Sequence, residues 1–310
     1  MILYQENLSV HYLKAKNNIS FIRPGFGDII KPGGAFMKYY ISVIAVILCF
    51  GIYFAAVSAS KPDGVALPVI MYHSVLKDGA RIGKYVVSPD SFEHDLAFLK
   101  DNCYETVSIS DLIGFVYEGK KLPEKPVMIT FDDGYYNNLV YAAPLLEKYN
   151  MKAVISVIGR YSDEYTRTGE KNPNYSHLVW EDVRALSKSG VFEIQNHSYD
   201  LHSMSKNRSG SMKNSWESAE DYKELFVNDT KRCEQLLSAI GIKAECYTYP
   251  FGTYCGESEK YVREMGFRAS LSCTEGMNYI TRDKECLYLL KRWNRPGGAD
   301  TVNFFEKVLK

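Results

Sequence analysis

Two adjacent carboxylates, Asp132 and Asp133, come directly after an apolar run in residues 126–138. The run at residues 127–129 predicts a buried strand that ends at these two side chains. Two carboxylates buried side by side are costly unless a cation lies between them. A metal ion held by one of them would leave the other free as a general base. The alternative is a polar turn, in which an aspartate caps a helix that begins near Asn137.

A second group with metal-binding chemistry is the histidine pair His197 and His202. Five residues turn an ideal helix by about 140°, so the pair does not share a helical face and suits a strand end followed by a bent loop. Two imidazoles and one carboxylate make a three-ligand site with open positions, which is the catalytic form of a zinc site. No comparable pairing with other candidate ligands is found for His11, His94 and His177, which are predicted to be surface or core residues.

Short apolar runs alternate with amphipathic stretches from residue 68 onwards. The runs predict strands over residues 68–72, 106–108, 127–129, 153–158, 191–195, 244–248 and 268–271. The amphipathic stretches predict helices over residues 91–100, 111–117, 139–149, 181–189 and 257–265, and a long helix within 217–240. Repeated strand–helix units of this length favour an α/β fold with a parallel sheet, closed or nearly closed into a barrel.

The polar residues follow the predicted strands at their carboxyl ends. Asp132 with Asp133, His73, His197 and the tetrapeptide at residues 249–252 stand at four such ends. In barrels of this kind the active site lies at the carboxyl ends of the strands. We therefore expect these four groups to converge on one mouth.

Composition limits the class of partner. The chain has 310 residues, 46% hydrophobic, with 37 basic and 37 acidic side chains, so no charge excess points to nucleic acid. The prediction is therefore a globular enzyme-sized domain with no nucleic-acid partner.

Residues 39–57 are almost continuously apolar and uncharged, which is long enough for a transmembrane helix. Basic residues, Lys38 among them, precede the run, so the positive-inside rule predicts a cytoplasmic N-terminus and an extracellular catalytic domain. A cleaved signal peptide, which would give a secreted protein, is the alternative. The predicted organisation is a cytoplasmic tail at 1–38, an anchor at 39–57, a spacer at 58–67 and a catalytic domain at 68–310. Met37 is a second candidate for the initiator, which would make residues 1–36 untranslated.

Seven cysteines are present, and Cys49 lies within the apolar run. The other six fall in the predicted extracellular part, where their even number permits disulfides. Free buried thiols are the alternative.

Three motifs together resemble the polysaccharide deacetylase family, the NodB-type carbohydrate esterases. They are TFDDG at residues 130–134, NHSYDLH at 196–202 and YPFG at 249–252, within a resemblance that covers residues 68–296. The resemblance implies a distorted (β/α) barrel, which we expect to be seven-stranded, and metal-dependent removal of acetyl groups from N-acetylhexosamine residues. It implies that Asp133, His197 and His202 bind a divalent metal, Zn²⁺ in the first place and otherwise Co²⁺, Ni²⁺ or Mn²⁺. It also implies that Asp132 is the general base.

Two departures from the family pattern direct attention elsewhere in the chain. Thr248 stands where the family usually has an arginine that supports the base, and no histidine follows His202 to act as the acid. The stretch PVIMYHSV at residues 68–75 resembles the permuted branch that deacetylates poly-β-1,6-N-acetylglucosamine, in which an N-terminal histidine is the acid. His73 is therefore the expected general acid, and Arg292 and Arg295 are the expected replacements for the missing arginine.

The expected substrate is an N-acetylated cell-surface polysaccharide, poly-β-1,6-N-acetylglucosamine in the first place. The residues expected to contact it are Tyr249, Pro250, Phe251, Gly252, Tyr136 and Trp180, with core packing as the alternative for the last two. The polar stretch 203–221 is expected to form a surface loop over the mouth. A peptidoglycan deacetylase is the rival enzyme, and an inactive membrane-tethered glycan-binding module is the rival of another class.

Overall fold

The computed structural model describes residues 41–48 and 63–309. Residues 41–48 are helical, and residues 62–310 form one compact unit. Among the described residues, no helix has the length and apolar character needed to cross a bilayer. Most of the predicted membrane segment, residues 39–57, lies outside the described residues, so the anchor stays a prediction.

The strands are short and belong to one main sheet and several two-stranded pairings. In chain order they are β1 (Val65–Leu67), β2 (Val69–Tyr72), β3 (Ser74–Val75), β4 (Val86–Val87), β5 (Glu105–Thr106), β6 (Pro126–Phe131), β7 (Ala153–Val157), β8 (Phe192–Asn196), β9 (Met204–Ser205), β10 (Arg208–Ser209), β11 (Cys246–Thr248), β12 (Ala269–Leu271), β13 (Asn278–Ile280) and β14 (Trp293–Asn294).

The main sheet has the strand order β12-β11-β8-β7-β6-β2-β14, with β5 attached to β6. Every pairing along this path is parallel. A single parallel bridge between Leu271 and Leu290 joins the end of β12 to the residues that lead into β14. The two ends of the path therefore approach each other, and the curled parallel sheet confirms the prediction of a distorted (β/α) barrel.

Helices cover the sheet and alternate with its strands. They are α1 (Pro89–Asp101), α2 (Ile109–Glu118), α3 (Ala143–Tyr149), α4 (Gly159–Thr168), α5 (Trp180–Ser189), α6 (Ala219–Ala239), α7 (Gly256–Glu264) and α8 (Thr301–Val308). Side chains of β6 alternate between two apolar clusters: Ile129 and Phe131 belong to the larger one, and Met128 to the smaller one. This alternation follows from the two-residue period of a strand and leaves both faces of the sheet buried.

Local sequence explains where the first helices begin and end. The Ser88 side chain accepts a hydrogen bond from the Ser91 N–H at the start of α1, and Pro89 occupies the first turn. At the start of α2, Ser108 and Asp111 form a reciprocal capping box. Gly119 then ends α2 in the left-handed conformation at φ 74°. These signals are local, which is why the predicted helices 91–100 and 111–117 lie inside the observed ones.

The sequence pattern missed α4, α8 and β14. Of α4 only Gly159 and Ser162 are buried, so this polar helix carries no apolar stripe that periodicity could detect. The stretch 203–221, expected to be a surface loop, contains the short β9–β10 hairpin and the first residues of α6. The Thr253 hydroxyl donates a hydrogen bond to the Ser209 carbonyl (2.8 Å), which holds the hairpin on the segment after β11.

Candidate active site

The two adjacent carboxylates stand where β6 ends, and both are buried. Asp132 is 2% exposed and Asp133 is 6% exposed. Asp133 has the left-handed value φ 71°, which is uncommon for a residue other than glycine and is associated with functional sites. Gly134 follows at φ 67°, and a Cβ there would come within 3.0 Å of Val157 on the neighbouring strand. This tight turn points the Asp132 and Asp133 side chains in different directions, so that they meet different partners.

Asp132 forms a buried, bidentate ion pair with Arg292. The guanidinium Nη1 and Nη2 lie 2.7 and 2.8 Å from the two carboxylate oxygens, and the Arg292 side chain is fully buried. Arg292 Nε also donates to the Ser272 carbonyl (2.7 Å), which fixes the plane of the guanidinium. Burial on its own would raise the pKa of Asp132, but the charge and hydrogen bonds of Arg292, together with the nearby His197 and His73, outweigh it and lower that pKa. Asp132 is thus ionised at neutral pH.

Asp133, His197 and His202 form a group whose candidate ligand atoms all lie within 4.8 Å of one another. The Asp133 Oδ1 atom is 3.1 Å from His202 Nε2 and 3.5 Å from His197 Nε2. The turn after β6 supplies the carboxylate, the residue that follows β8 is His197, and the loop beyond supplies His202. The carboxyl ends of two parallel strands on either side of β7 therefore bring together residues that are far apart in sequence.

The hydrogen bonds of this group fit a bound cation. The Asp133 Oδ1 atom is buried and has no hydrogen-bond donor among the residues that the structure describes, as expected for a metal-binding oxygen. His197 donates from Nδ1 to the Thr248 carbonyl (2.8 Å), which leaves Nε2 as the unprotonated atom beside Asp133. Burial opposes ionisation of Asp133, but the adjacent His197 and His202 side chains outweigh it and bring its pKa well below the usual value. The three residues therefore offer the donor set of a catalytic zinc site.

His73 follows β2 and lies at the same mouth. Its carbonyl accepts a hydrogen bond from the Asn138 side chain (3.0 Å), and its Nδ1 is buried without a partner in the described part of the chain. Its ring lies 4.6 Å from the ring of Tyr85, centroid to centroid. Burial lowers the pKa of His73, although the negative charge of Asp132 opposes that shift.

One cavity of about 720 Å³ connects these groups. Its walls include both carboxylates, both imidazoles of the candidate metal site and His73. Three aromatic side chains that also line it are 42–48% exposed: Tyr85, Tyr175 and Phe251. Ligand sites typically have volumes of roughly 300–1,000 Å³. The cavity thus has room for a sugar residue beside the metal site and aromatic surface around the opening.

The structure divides the residues of the YPFG motif. Phe251 lines the cavity, with its ring 4.2 Å from that of His202 and its backbone in the left-handed region at φ 57°. Tyr249 and Pro250 are buried, and Tyr249 packs in the larger apolar cluster. Gly252 lies against Cys273, where a Cβ would come within 2.5 Å. Of the four predicted contacts, only Phe251 borders the cavity. The other three residues form the turn that carries Phe251.

Three further predicted residues lie away from the cavity. Tyr136 packs against the larger apolar cluster, and Trp180 does the same while its Nε1 donates to Asp163 (2.7 Å). Arg295 does not contact Asp132, since its Nε and Nη2 bind Asp95 at 2.8 and 2.9 Å. This corrects the expectation that Arg295 supports the base; β14 directs it to the other face of the sheet.

His177 was expected to be a surface or core residue, and the structure places it in the cavity wall. It is 8% exposed, and its Nδ1 lies 2.8 Å from the Asp133 carbonyl. The rings of Tyr135 and Tyr161 lie 4.6 and 4.5 Å from its ring. His177 thus helps to hold the backbone of Asp133 in the candidate metal site. No sequence pattern indicates this role, because the contact joins two loops. His94 is exposed on α1, and His11 lies outside the described residues.

The cysteines that the structure describes outside the predicted membrane segment are all free thiols: Cys103, Cys233, Cys246, Cys255, Cys273 and Cys286. Of the two alternatives drawn from the sequence, the structure has free thiols, but only Cys233 and Cys246 among them are buried. Cys273 lines the cavity, with its sulfur 3.7 Å from Arg292 Nη2.

A curled parallel sheet with an Asp-His-His group at the carboxyl ends of its strands, two of whose members are buried, defines a candidate metal-dependent hydrolase site, and comparison with known proteins gives its family. A family model described as polysaccharide deacetylase matches residues 119–270. A Bacillus subtilis protein named "Putative polysaccharide deacetylase YxkH" is 30% identical over 242 residues, which are 77% of this chain and 74% of that protein. The chain therefore belongs to the polysaccharide deacetylase family, and it is an enzyme of that class.

Two further relatives have more specific names. A Staphylococcus aureus (strain MSSA476) protein named poly-beta-1,6-N-acetyl-D-glucosamine N-deacetylase is 25% identical over 226 residues, which are 69% of this chain and 73% of that protein. A solved structure of a de-N-acetylase from Aggregatibacter actinomycetemcomitans has a TM-score of 0.65 and 26% identity, and the match covers 77% of this chain and 99% of that one. These likenesses confirm the predicted family.

Proposed function

We propose that this protein removes N-acetyl groups from N-acetylglucosamine residues of a cell-surface polysaccharide, with a divalent metal ion, Zn²⁺ in the first place, held by Asp133, His197 and His202. The observation that carries the proposal is the convergence of this metal-binding group with Asp132 and His73 on one cavity. The proposed polymer is poly-β-1,6-N-acetylglucosamine, supported by the name of the Staphylococcus aureus relative.

The residues divide the proton chemistry of amide hydrolysis between them. A divalent ion at this site supplies Lewis acidity toward the acetamide carbonyl and toward water. Asp132, kept ionised by Arg292, accepts the proton of the attacking water. His73 donates a proton to the departing nitrogen, since an imidazole is the side chain best matched to that transfer near neutral pH. The backbone N–H groups of the turn that carries Phe251 are candidates to bind the oxyanion.

The shape of the cavity supports a polymeric sugar substrate. Tyr85 and Tyr175 are about half exposed at its rim, and Phe251 is 42% exposed beside His202. Exposed aromatic rings of this kind provide an apolar face and, in tyrosine, a polar group, which suits the two faces of a sugar ring. These side chains replace Tyr136 and Trp180 as the proposed sugar contacts.

The proposal is tested by measuring metal content and acetate release with the full chain. Wild-type protein should bind about one Zn²⁺ and release acetate from poly-β-1,6-N-acetylglucosamine faster than from peptidoglycan. Asp133→Ala should lose both metal and activity, because it removes one of three ligands. His73→Gln should keep its metal and lose about 10²- to 10⁴-fold in turnover, which is the usual contribution of a positioned acid.

His94→Gln is the matched control, because His94 is an exposed histidine on α1. It should keep both metal and turnover. Full metal content in Asp133→Ala would overturn the ligand assignment. Acetate release from peptidoglycan alone would move the substrate to the rival polymer.

The proposed location is the cell membrane, with the catalytic domain outside and residues 39–57 as a single-pass anchor. The uncharged apolar run and the preceding Lys38 support this orientation. In cell fractionation the full-length protein should stay with the membranes, and a protease added outside should degrade the catalytic domain. A soluble product that begins after residue 57 would show instead that the run is a cleaved signal.

A further inference from the structure

Only four residues separate the two imidazoles of the proposed metal site, and their backbone sets the distance between the rings. Ser198, the first of them, has φ 67°, a left-handed conformation that is unfavourable for serine unless its surroundings hold it. The Asn196 side chain accepts a hydrogen bond from the Ser198 N–H (2.7 Å). We call residues 198–201 the ligand loop. Whatever holds this loop therefore controls the geometry of the metal site.

The strongest hold on the ligand loop is the carboxylate of Asp229 on α6. It accepts hydrogen bonds from two successive backbone N–H groups, those of Tyr199 (2.8 Å) and Asp200 (2.7 Å). Each of its two oxygens takes one of them, so the carboxylate fixes both the position and the direction of this peptide segment. A single oxygen acceptor could not satisfy both donors in the same way.

The N-terminus of α4 holds the other edge of the ligand loop. The Gly159 and Arg160 N–H groups donate to the Ser198 and Tyr199 carbonyls at 3.0 and 2.9 Å. A Cβ at Gly159 would come within 2.8 Å of the Tyr199 ring, so glycine is needed for this close approach. Two helices thus hold the ligand loop: α6 accepts hydrogen bonds from its N–H groups, and α4 donates hydrogen bonds to its carbonyls.

An ionised Asp229 does not stabilise the fold, so its charge needs another explanation. Burial, with a contribution from the charge of Asp200, raises the pKa of Asp229 to about 6. Arg232, whose charge lowers this pKa, lies 3.8 Å from Asp163 and over the Tyr199 ring, and no ion pair of Asp229 occurs within the described residues. A carboxyl with a raised pKa opposes folding once it is ionised, so stability falls as the pH rises toward 6. A charge kept against stability is typical of a functional position.

We propose that Asp229 is a positioning residue of the metal site, which holds the ligand loop so that His197 and His202 converge on one ion. The inference rests on the proposed metal site. Outer partners that orient metal ligands commonly contribute about 10- to 100-fold in metal affinity. Here Asp229 acts on the backbone between the two histidines, and its carboxylate contacts neither imidazole in the described hydrogen bonds.

The test compares the full-chain wild type with Asp229→Asn. Zn²⁺ affinity is measured by competition with a chelator, the absorption spectrum is recorded after loading with Co²⁺, and the melting temperature of the metal-free protein is measured. Asn keeps one acceptor but places an NH₂ group against the second N–H. We expect Zn²⁺ affinity to fall about 10- to 100-fold and the Co²⁺ spectrum to change, while the melting temperature stays equal or rises.

Asp111→Asn is the matched control. Asp111 is a half-buried helical carboxylate that accepts the Ser108 N–H (2.7 Å) and pairs with Lys152, away from the cavity. Its loss should lower the melting temperature and leave Zn²⁺ affinity unchanged. Gly159→Ala disturbs the ligand loop from the opposite side and should weaken Zn²⁺ binding even if Asp229→Asn does not fold.

The outcomes separate this inference from the proposed function. Wild-type protein that binds no Zn²⁺ would end the proposed metal site itself. Wild-type protein that binds Zn²⁺, with unchanged affinity and spectrum in folded Asp229→Asn, would overturn the role of Asp229 alone. Equal losses of affinity in Asp229→Asn and Asp111→Asn would show a general effect of stability and would also overturn it.

Discussion

Two buried arginine–aspartate pairs lie on either side of β14, and they have the same chemistry but different surroundings. Arg292 binds Asp132 through two hydrogen bonds of 2.7 and 2.8 Å, and Arg295 binds Asp95 through two of 2.8 and 2.9 Å. Both guanidinium groups are essentially inaccessible to solvent. An odd separation along an extended strand sends the two side chains to opposite faces of the sheet.

The difference lies in what else each carboxylate touches. Asp95 also accepts hydrogen bonds from the Tyr72 hydroxyl (2.9 Å) and the Thr301 hydroxyl (2.7 Å), so its oxygens are fully used within the core. Asp132 accepts only from Arg292 among the described hydrogen bonds and borders the cavity. The comparison teaches that the unused acceptor positions, rather than the ion pair, make one carboxylate available for chemistry.

The largest expected difference between the pairs is in turnover. Asp132→Asn should lower turnover by about 10²- to 10⁴-fold with metal still bound, because it removes the proposed general base. Asp95→Asn should destabilise the fold, since it leaves Arg295 buried without its counter-ion. Acetate release per folded, metal-loaded molecule is the measurement. If folded Asp95→Asn loses as much turnover as Asp132→Asn, the proposed difference in function between the two pairs is wrong.

The next effect is on stability and should be shared by the two pairs. Arg292→Met and Arg295→Met each leave a carboxylate buried without its cation, which lowers the free energy of unfolding by about 3–5 kcal/mol. Denaturant unfolding of both variants measures this. In the folded fraction, Arg295→Met should keep wild-type turnover and Arg292→Met should not. A loss of turnover in both, at equal stability, would mean that the core pair also shapes the site.

The smallest effect, a displaced pH profile, separates the pairs most sharply. Asp132 has a lowered pKa, so it stabilises the fold above its unfolded pKa of roughly 3.9, and this contribution is lost as the pH falls through the folded value. In Arg292→Met, the burial of Asp132 is no longer offset by the guanidinium, so its pKa rises above the wild-type value. The acid limb of kcat/KM, which requires the ionised base, should then move up by about 1–3 pH units.

Arg295→Met is the control for this displacement, and its acid limb should stay where the wild type has it. The ionised Asp132 of Arg292→Met should also oppose folding above a pH of roughly 3.9, the reverse of its contribution in the wild type. An acid limb that does not move in Arg292→Met would indicate that a group other than Asp132 is the base.

Residue type and short-range spacing determined much of this protein. An apolar run that ends in two aspartates placed Asp132 and Asp133 at a strand end, and the five-residue interval placed His197 and His202 on a bent loop. Alternating strand and helix patterns predicted the parallel sheet, because buried faces and caps are recorded within a few residues of each other. The convergence of these groups followed from the rule for the carboxyl ends of parallel strands.

Only the tertiary structure decided which partner each group meets. The sequence presented Arg292 and Arg295 as equal candidates for Asp132, and the register of β14 placed Arg292 against Asp132 and Arg295 against Asp95. The tertiary structure likewise brought His177 to the Asp133 carbonyl and Asp229 to the ligand loop. These contacts join residues 30 or more positions apart. No local pattern encodes such pairings, because they depend on how separate elements pack and not on the preference of any one segment.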